Sequence, residues 1–221
     1  MPKKTPYPLL FVSNPGPHNT VLNWHNVPER EFCFYARAFH TAAKTLVENL
    51  DLDRTPRSDW NACPVVFLYR HALELHLKAL ILGDGGKFLA SKPDPASIYR
   101  THCLRRLAQV VCEIVKAVGW KGSFTCEGVT GLGDFRAVVN DLDSVDPGSH
   151  AFRYPVNTAG EGSVQSHLTF SVLEFARQMN AILDLLDVTA DALAATWDMQ
   201  TEAAALEAEL HGGNDFEPTI H

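Results

Sequence analysis

Long hydrophobic runs are missing from this 221-residue chain. No stretch of ~18 apolar residues exists, so no membrane span is expected. The greasiest segment, Leu68 to Leu82, is interrupted by Arg70, His71, Glu74, His76 and Lys78. Cysteine is sparse: Cys33, Cys63, Cys103, Cys112 and Cys126 are odd in number and none falls in a C-x-x-C pair. That excludes a disulfide scaffold and reads as reduced thiols of a cytoplasmic protein. The opening Met-Pro-Lys-Lys leads into Pro6 and Pro8, not into the apolar core of a signal peptide. Glycine and proline, at 14 and 13, are too few for a collagen-like or wholly disordered chain. Lys and Arg are absent from Val188 to His221, a stretch with seven acids. The net charge of −7 therefore sits in that stretch, and the rest balances at 19 basic against 19 acidic residues. A neutral body with an acidic end lacks the basic face of a general DNA binder. A small basic patch of Arg100, Arg105 and Arg106 with His102 stays open as an RNA contact.

Several catalytic signatures are missing too. No Lys-Ser/Thr follows Gly128, Gly131 and Gly133, so no phosphate loop forms there. There is no G-x-S-x-G. His71 and His76 lack the i, i+4 spacing of a helical metal pair, and no His/Cys cluster has zinc spacing. No metal and no cofactor is expected.

What is present is helical periodicity. Residues 1–28 hold six of the 13 prolines and read as an irregular arm. Leu9 to Val12 is a candidate extended piece, and Trp24 a candidate dock onto the body. A first helix is expected from about Glu29 to Leu50, with Phe32, Tyr35, Ala36, Phe39, Ala43, Leu46, Val47 and Leu50 inward. A second starts after Asp59 as N-cap, carries Pro64 in its first turns, and ends at Gly83 before a Gly85-Gly86 turn. A loop with Pro93 and Pro95 leads to a third helix, striped by Leu104, Leu107, Ala108, Val111, Ile114, Val115 and Val118 and ended by Gly119. A short fourth fits Leu132 to Leu142, with Phe135, Val138, Val139 and Leu142 inward. An irregular stretch follows, Asp146 to Gly162. The last helix runs from about Ser166 to at least Trp197, and Thr201 to Leu210 has the Ala and Glu content to extend it as far as Gly212-Gly213. Leu168, Val172, Phe175, Met179, Ile182, Leu186 and Leu193 form its seam, either core or a contact with a second subunit. The expected fold is an all-α bundle of four to five helices with a Pro-rich arm and a long C-terminal helix. Its divisions are an arm at 1–28, the bundle at 29–198, and an acidic helical extension with a frayed tail at 199–221.

The second helix is chemically unusual. With Arg70 at 0°, Glu74 falls at about 40°, Lys78 at about 80° and His71 at about 100°. Apolar residues fill both other sides, which places the helix centrally in the bundle. Its polar strip must then find partners, because an unpaired buried charge is costly. The Arg70–Glu74–Lys78 ladder has i, i+4 spacing and partly satisfies itself.

This segment, Phe67 to Ile81, resembles the "ELxLKAL" helix of HEPN proteins (higher eukaryotes and prokaryotes nucleotide-binding domain) through Glu74-Leu75-x-Leu77-Lys78-Ala79-Leu80. The run from His102 through Leu104 to Leu107 is similar to that family's H-x-L-x-x-L helix start, and Arg153-Tyr154-Pro155 to its RYP segment before the last long helix. The three pieces occur in the family's order, and the resemblance covers about residues 30–190. It implies a four- or five-helix bundle, often dimeric. Many members are metal-independent ribonucleases of toxin–antitoxin, RNA-processing or antiviral systems, and others are non-catalytic partners of nucleotidyltransferases. Active members carry Arg-x4–6-His near the start of a late helix, the Arg for the pentacoordinate phosphate and the His for proton transfer. This chain departs from that motif: Arg177 is followed by Gln-Met-Asn-Ala-Ile-Leu. The literal match, Arg70-x5-His76, lies on the second helix, where six residues leave the two side chains about 120° apart.

The catalytic candidates are Arg70, His71, His76 and His102. The substrate-binding candidates are Glu74, Lys78, His150, Arg153 and Tyr154. Arg70, Glu74 and Lys78 form either an internal ion-pair network or a phosphate pocket; Arg153 can join either, and the non-catalytic reading expects it to close off Glu74 together with Lys78. His102 either caps and packs or moves a proton, and His150 is either a loop residue or a catalytic partner of Arg153. The expected function is binding or cleaving RNA, as a metal-independent ribonuclease of a toxin or antiviral defence system. The alternative is a non-catalytic dimeric helical module that accompanies or regulates another protein. Expected partners are RNA, a second copy in a homodimer, and a protein.

Overall fold

The computed structural model describes residues 20, 22, 28–50, 58–164 and 167–212. Leu9 to Val12, Trp24 and the acidic tail beyond Gly212 lie outside the described residues. Six α-helices form the described chain: α1 (Pro28–Glu48), α2 (Ala62–Leu82), α3 (Pro95–Arg100), α4 (Leu104–Val118), α5 (Leu132–Val145) and α6 (Val172–Gly212). Two 3₁₀ turns, Ser58–Asn61 and Asp84–Phe88, flank α2. Among the described residues there is no strand beyond two isolated bridges, Cys126 with Val129 and Val156 with Gly162. No described helix is long and apolar enough to cross a membrane, and all five cysteines are free.

α2 is the axis of the fold. It packs on α1, α3, α4 and α6 and on both 3₁₀ turns. Val65, Val66, Tyr69, Ala72, Leu73, Leu77, Leu80 and Ile81 are all buried core, as apolar residues on two sides of a helix require. Its start differs from expectation. Asp59 lies inside the first 3₁₀ turn, and Asn61 precedes the helix without a side-chain cap bond. The expected Gly85-Gly86 turn is a buried 3₁₀ turn.

The short α3 adds a sixth helix to the expected four to five, in what reads as a proline loop. Asp94 caps it, accepting from the amides of Ala96 and Ser97 at 3.1 Å each, and Pro95 occupies the first turn, where its missing N–H is not needed. α4 matches its stripe: Leu104, Leu107, Ala108, Val111, Ile114 and Val115 are buried. Gly119 ends it at φ 87°, a left-handed geometry that glycine adopts without a Cβ clash. α5 runs one turn longer than expected and keeps Phe135, Val139 and Leu142 buried.

The last helix starts at Val172, not near Ser166, because Ser171 caps it: Oγ accepts from the Glu174 amide at 3.3 Å. Leu168 is therefore exposed and outside the helix. Met179, Ile182, Leu186 and Leu193 are core, so those seam positions are not open to a second subunit. Tyr35 on α1 is also exposed where the stripe predicts burial. The Thr201–Leu210 extension is helical, as its propensity suggests.

Candidate functional site

The polar strip of α2 folds inward and becomes a closed network. Arg70 is fully buried, at 0% exposure. Its Nη1 donates to Glu74 Oε2 at 3.1 Å, and its Nη2 donates to the His102 carbonyl at 2.9 Å. Its Nε donates to the Asp146 carbonyl at 3.1 Å and lies 3.3 Å from the Asp146 carboxylate. On the next turn, Lys78 donates to Glu74 Oε1 at 2.9 Å and to the Tyr99 carbonyl at 3.2 Å. His102 Nδ1 completes the set, 2.9 Å from the same Oε1. Burial would raise the Glu74 carboxyl, but the Lys78 hydrogen bond and the charges of Lys78 and His102 outweigh it and hold it below the ordinary carboxylate range.

This arrangement fixes backbone as much as charge. Carbonyls of Tyr99 and His102 belong to the α3–α4 junction, and that of Asp146 to the end of α5. A ridge of side chains on α2 thus binds both junctions to the central helix. Two acids that the sequence reading missed, Asp143 in α5 and Asp146 just after it, do the same. Asp143 Oδ1 accepts from the Leu104 amide at 2.8 Å and so caps α4 across the fold, where Cys103 makes no cap bond. Asp146 Oδ1 accepts from the amides of His150 and Ala151 at 2.7 and 3.0 Å. The Asp146-Pro147-Gly148 sequence was the available signal, an Asp-led turn whose side chain bonds its own loop.

The remaining candidates separate. Arg153 does not reach Glu74, contrary to expectation. Its Nε donates to the Ser149 carbonyl at 2.6 Å, and its guanidinium lies over the rings of Phe67 and Tyr154 at 5.6 and 5.7 Å. Ser149 itself has φ 60°, uncommon for a non-glycine residue. His150 is exposed, with Nδ1 3.3 Å from Arg153 Nη2. Tyr154 is exposed beside them. His71 packs edge-on to Phe39 and stacks on Phe67, with centroids 4.5 and 5.7 Å apart. Burial pushes its pKa down; Glu74 opposes that, while Arg153, Arg70 and Lys78 add to it.

His76 goes elsewhere. It is buried on the side toward Asp187, His40, Arg37 and Asp184, and burial lowers its pKa to about 4. Its Nε2 has no hydrogen-bond partner. Arg70 and His76 therefore do not share a site, as their angular separation on α2 implies. A second knot that the sequence reading missed lies near this side: Asn180 Oδ1 accepts from the Tyr69 hydroxyl at 2.9 Å and lies 2.9 Å from His40 Nε2. Burial pushes the Tyr69 hydroxyl up to about 12.

Of the nine candidates, Arg70, Glu74, Lys78 and His102 converge; His71, His150, Arg153 and Tyr154 lie around Phe67 and the 146–154 loop; His76 joins neither group. Within the converged set only the His102 ring meets solvent, with 58% of its side chain exposed. The Arg105 Nε approaches Asp143 at 3.8 Å. No group of three or more metal-ligating side chains occurs among the described residues. Protein-family models, curated proteins and solved structures contain no match to the chain.

Proposed function

We propose that this protein is a non-catalytic, HEPN-like helical module that works by binding another protein. The observation that supports this most directly is the closure of the α2 strip. Every nitrogen of the Arg70 guanidinium is committed to Glu74, Asp146 or the His102 carbonyl. A phosphate would have to displace buried carboxylates to reach it, leaving them unpaired at a cost of several kcal/mol. The second arm of a ribonuclease pair, His76, faces away. The expected experiment is incubation of the purified protein with labelled total RNA in EDTA. Neither the wild type nor Arg70→Ala/His76→Ala is expected to cleave it. Cleavage by the wild type would sink the module reading.

One observation favours a second reading. A buried carboxylate that orients a histidine through Nδ1, with the ring open to solvent, leaves Nε2 as an acid or base toward a ligand. Glu74 and His102 have that arrangement, and Arg105 and Arg106 lie close by in sequence. On this reading the protein acts on RNA through His102, not through Arg70 and His76. Cleavage that is abolished by His102→Ala but retained in His76→Ala would select it.

A further inference from the structure

A cavity of about 280 Å³ lies between the start of α6 and the face of α5 that carries Val138, Asp141, Leu142 and Val145. Its floor is made by the buried side chains of Val66, Leu142 and Met179. Three rings line it. Phe152 and Phe170 come from the irregular chain between α5 and α6, and Phe175 from the first turn of α6. Phe170 stands edge-on to Phe175, with centroids 5.8 Å apart. Asp141, Phe170, Ser171 and Glu174 are exposed, so the cavity opens to solvent on their side.

Size and charge identify what fits. An apolar cavity of roughly 150 Å³ takes benzene, so this one has room for a ring with a short chain. No Lys, Arg or His lines it, whereas two acids do. Glu174 is answered by Arg177, whose Nε donates to Oε2 at 2.9 Å. Asp141 is not answered. Its backbone carbonyl accepts from Ser144, but its carboxylate has no hydrogen bond or ion pair among the described residues. A carboxylate at the mouth repels an anion and attracts a cation. The faces of aromatic rings attract a cation as well. A neutral hydrophobe would gain the apolar walls and neither of these. We propose that this cavity is a binding site for a small hydrophobic amine, with its apolar body on the floor residues and the rings and its ammonium at Asp141. This goes beyond the module reading and does not depend on it.

The test is calorimetric titration of the full chain with three probes of matched length: phenylpropylamine, phenylpropanol and phenylpropionate. The amine is expected to bind at one site per chain with a Kd below about 1 mM. It should bind about fivefold or more tightly than the alcohol, and the carboxylate should bind more weakly than either. Asp141→Asn should bring the amine down to the affinity of the alcohol and leave the alcohol unchanged. Phe170→Ala should weaken the amine by about threefold or more. Both positions are exposed, so thermal unfolding should stay close to wild type and the loss then reads the site, not the fold. Amine binding that both variants retain would be general attraction to a chain of net charge −7 and would overturn the proposal. Equal affinities for amine and alcohol would leave an apolar cavity without charge selection and overturn it as well, as would preference for the carboxylate or no binding at all. A wild-type dimer in sedimentation that Phe170→Ala dissolves would assign the cavity to a second copy and overturn it too. The RNA assay reports on the module reading separately, so either can fail without the other.

Discussion

Glu74 is the residue on which the interior charge balance turns. It is the shared acceptor of Arg70, Lys78 and His102, and Arg70 and Lys78 are themselves buried. Removing it leaves two cations without their common counter-charge, a change that typically costs ~3–5 kcal/mol. Glu74→Gln keeps the shape and removes the charge, so it isolates that effect. Urea denaturation at pH 7 should show its midpoint falling sharply at unchanged slope. His102→Ala removes only a solvent-facing partner and should cost under about 1 kcal/mol. A Glu74→Gln protein as stable as His102→Ala would mean that the network contributes little to the fold.

At the scale of elements, the helices with clear apolar stripes were legible and the junctions between them were not. α1, α4 and α5 announce themselves because Leu, Val and Phe recur at three and four residues and Gly119 ends the pattern. The central place of α2 was legible in the same way, from apolar residues on two sides of its wheel. α3 was hidden because two prolines within three residues read as a loop, although Asp94-Pro95 is also a helix start. Of the site, the i, i+4 ladder could be read from spacing alone. Its closure could not, since the carbonyls of Tyr99, His102 and Asp146 come from chain junctions that no periodicity encodes. The Asp84–Phe88 turn is the plainest junction of this kind. A Cβ on Gly85 would sit 2.5 Å from the Leu80 carbonyl oxygen, 3.1 Å from Leu193 Cδ1 and 3.3 Å from Ile114 Cγ2. The contact with α2 is to backbone, which cannot rotate away. Gly85→Ala is therefore expected to destabilise by about 1–3 kcal/mol, whereas a Cβ on Gly122 meets nothing within 4 Å and Gly122→Ala should be close to neutral. Equal melting temperatures for the two variants would contradict this packing.

For the whole molecule, the buried His40 and His76 and the half-buried His71 set a dependence on pH. His40, His71 and His76 all have lowered pKa values, and burial is the largest cause for each. The unfolded chain takes up protons at these groups near 6.5, while the folded chain resists, in His76 until about 4. The unfolded state then binds more protons throughout that interval, so stability falls as pH drops through it. Glu74 acts in the same direction lower down: its stabilisation is complete above the unfolded carboxyl value near 4.5 and is lost as pH falls through its depressed folded value. His76 is the separable part, because its Nε2 is buried without a partner and an apolar side chain of similar volume removes both the titration and the orphaned atom. His76→Leu should be at least as stable as the wild type at pH 8. Moving from pH 8 to pH 5 should cost the wild type roughly 2 kcal/mol more than the variant, since only the wild type has this histidine to protonate on unfolding. Denaturation curves at the two pH values measure that difference directly. Equal losses in both proteins would place the acid sensitivity in His40, His71 and the carboxylates, and would show that His76 is not held neutral by its burial.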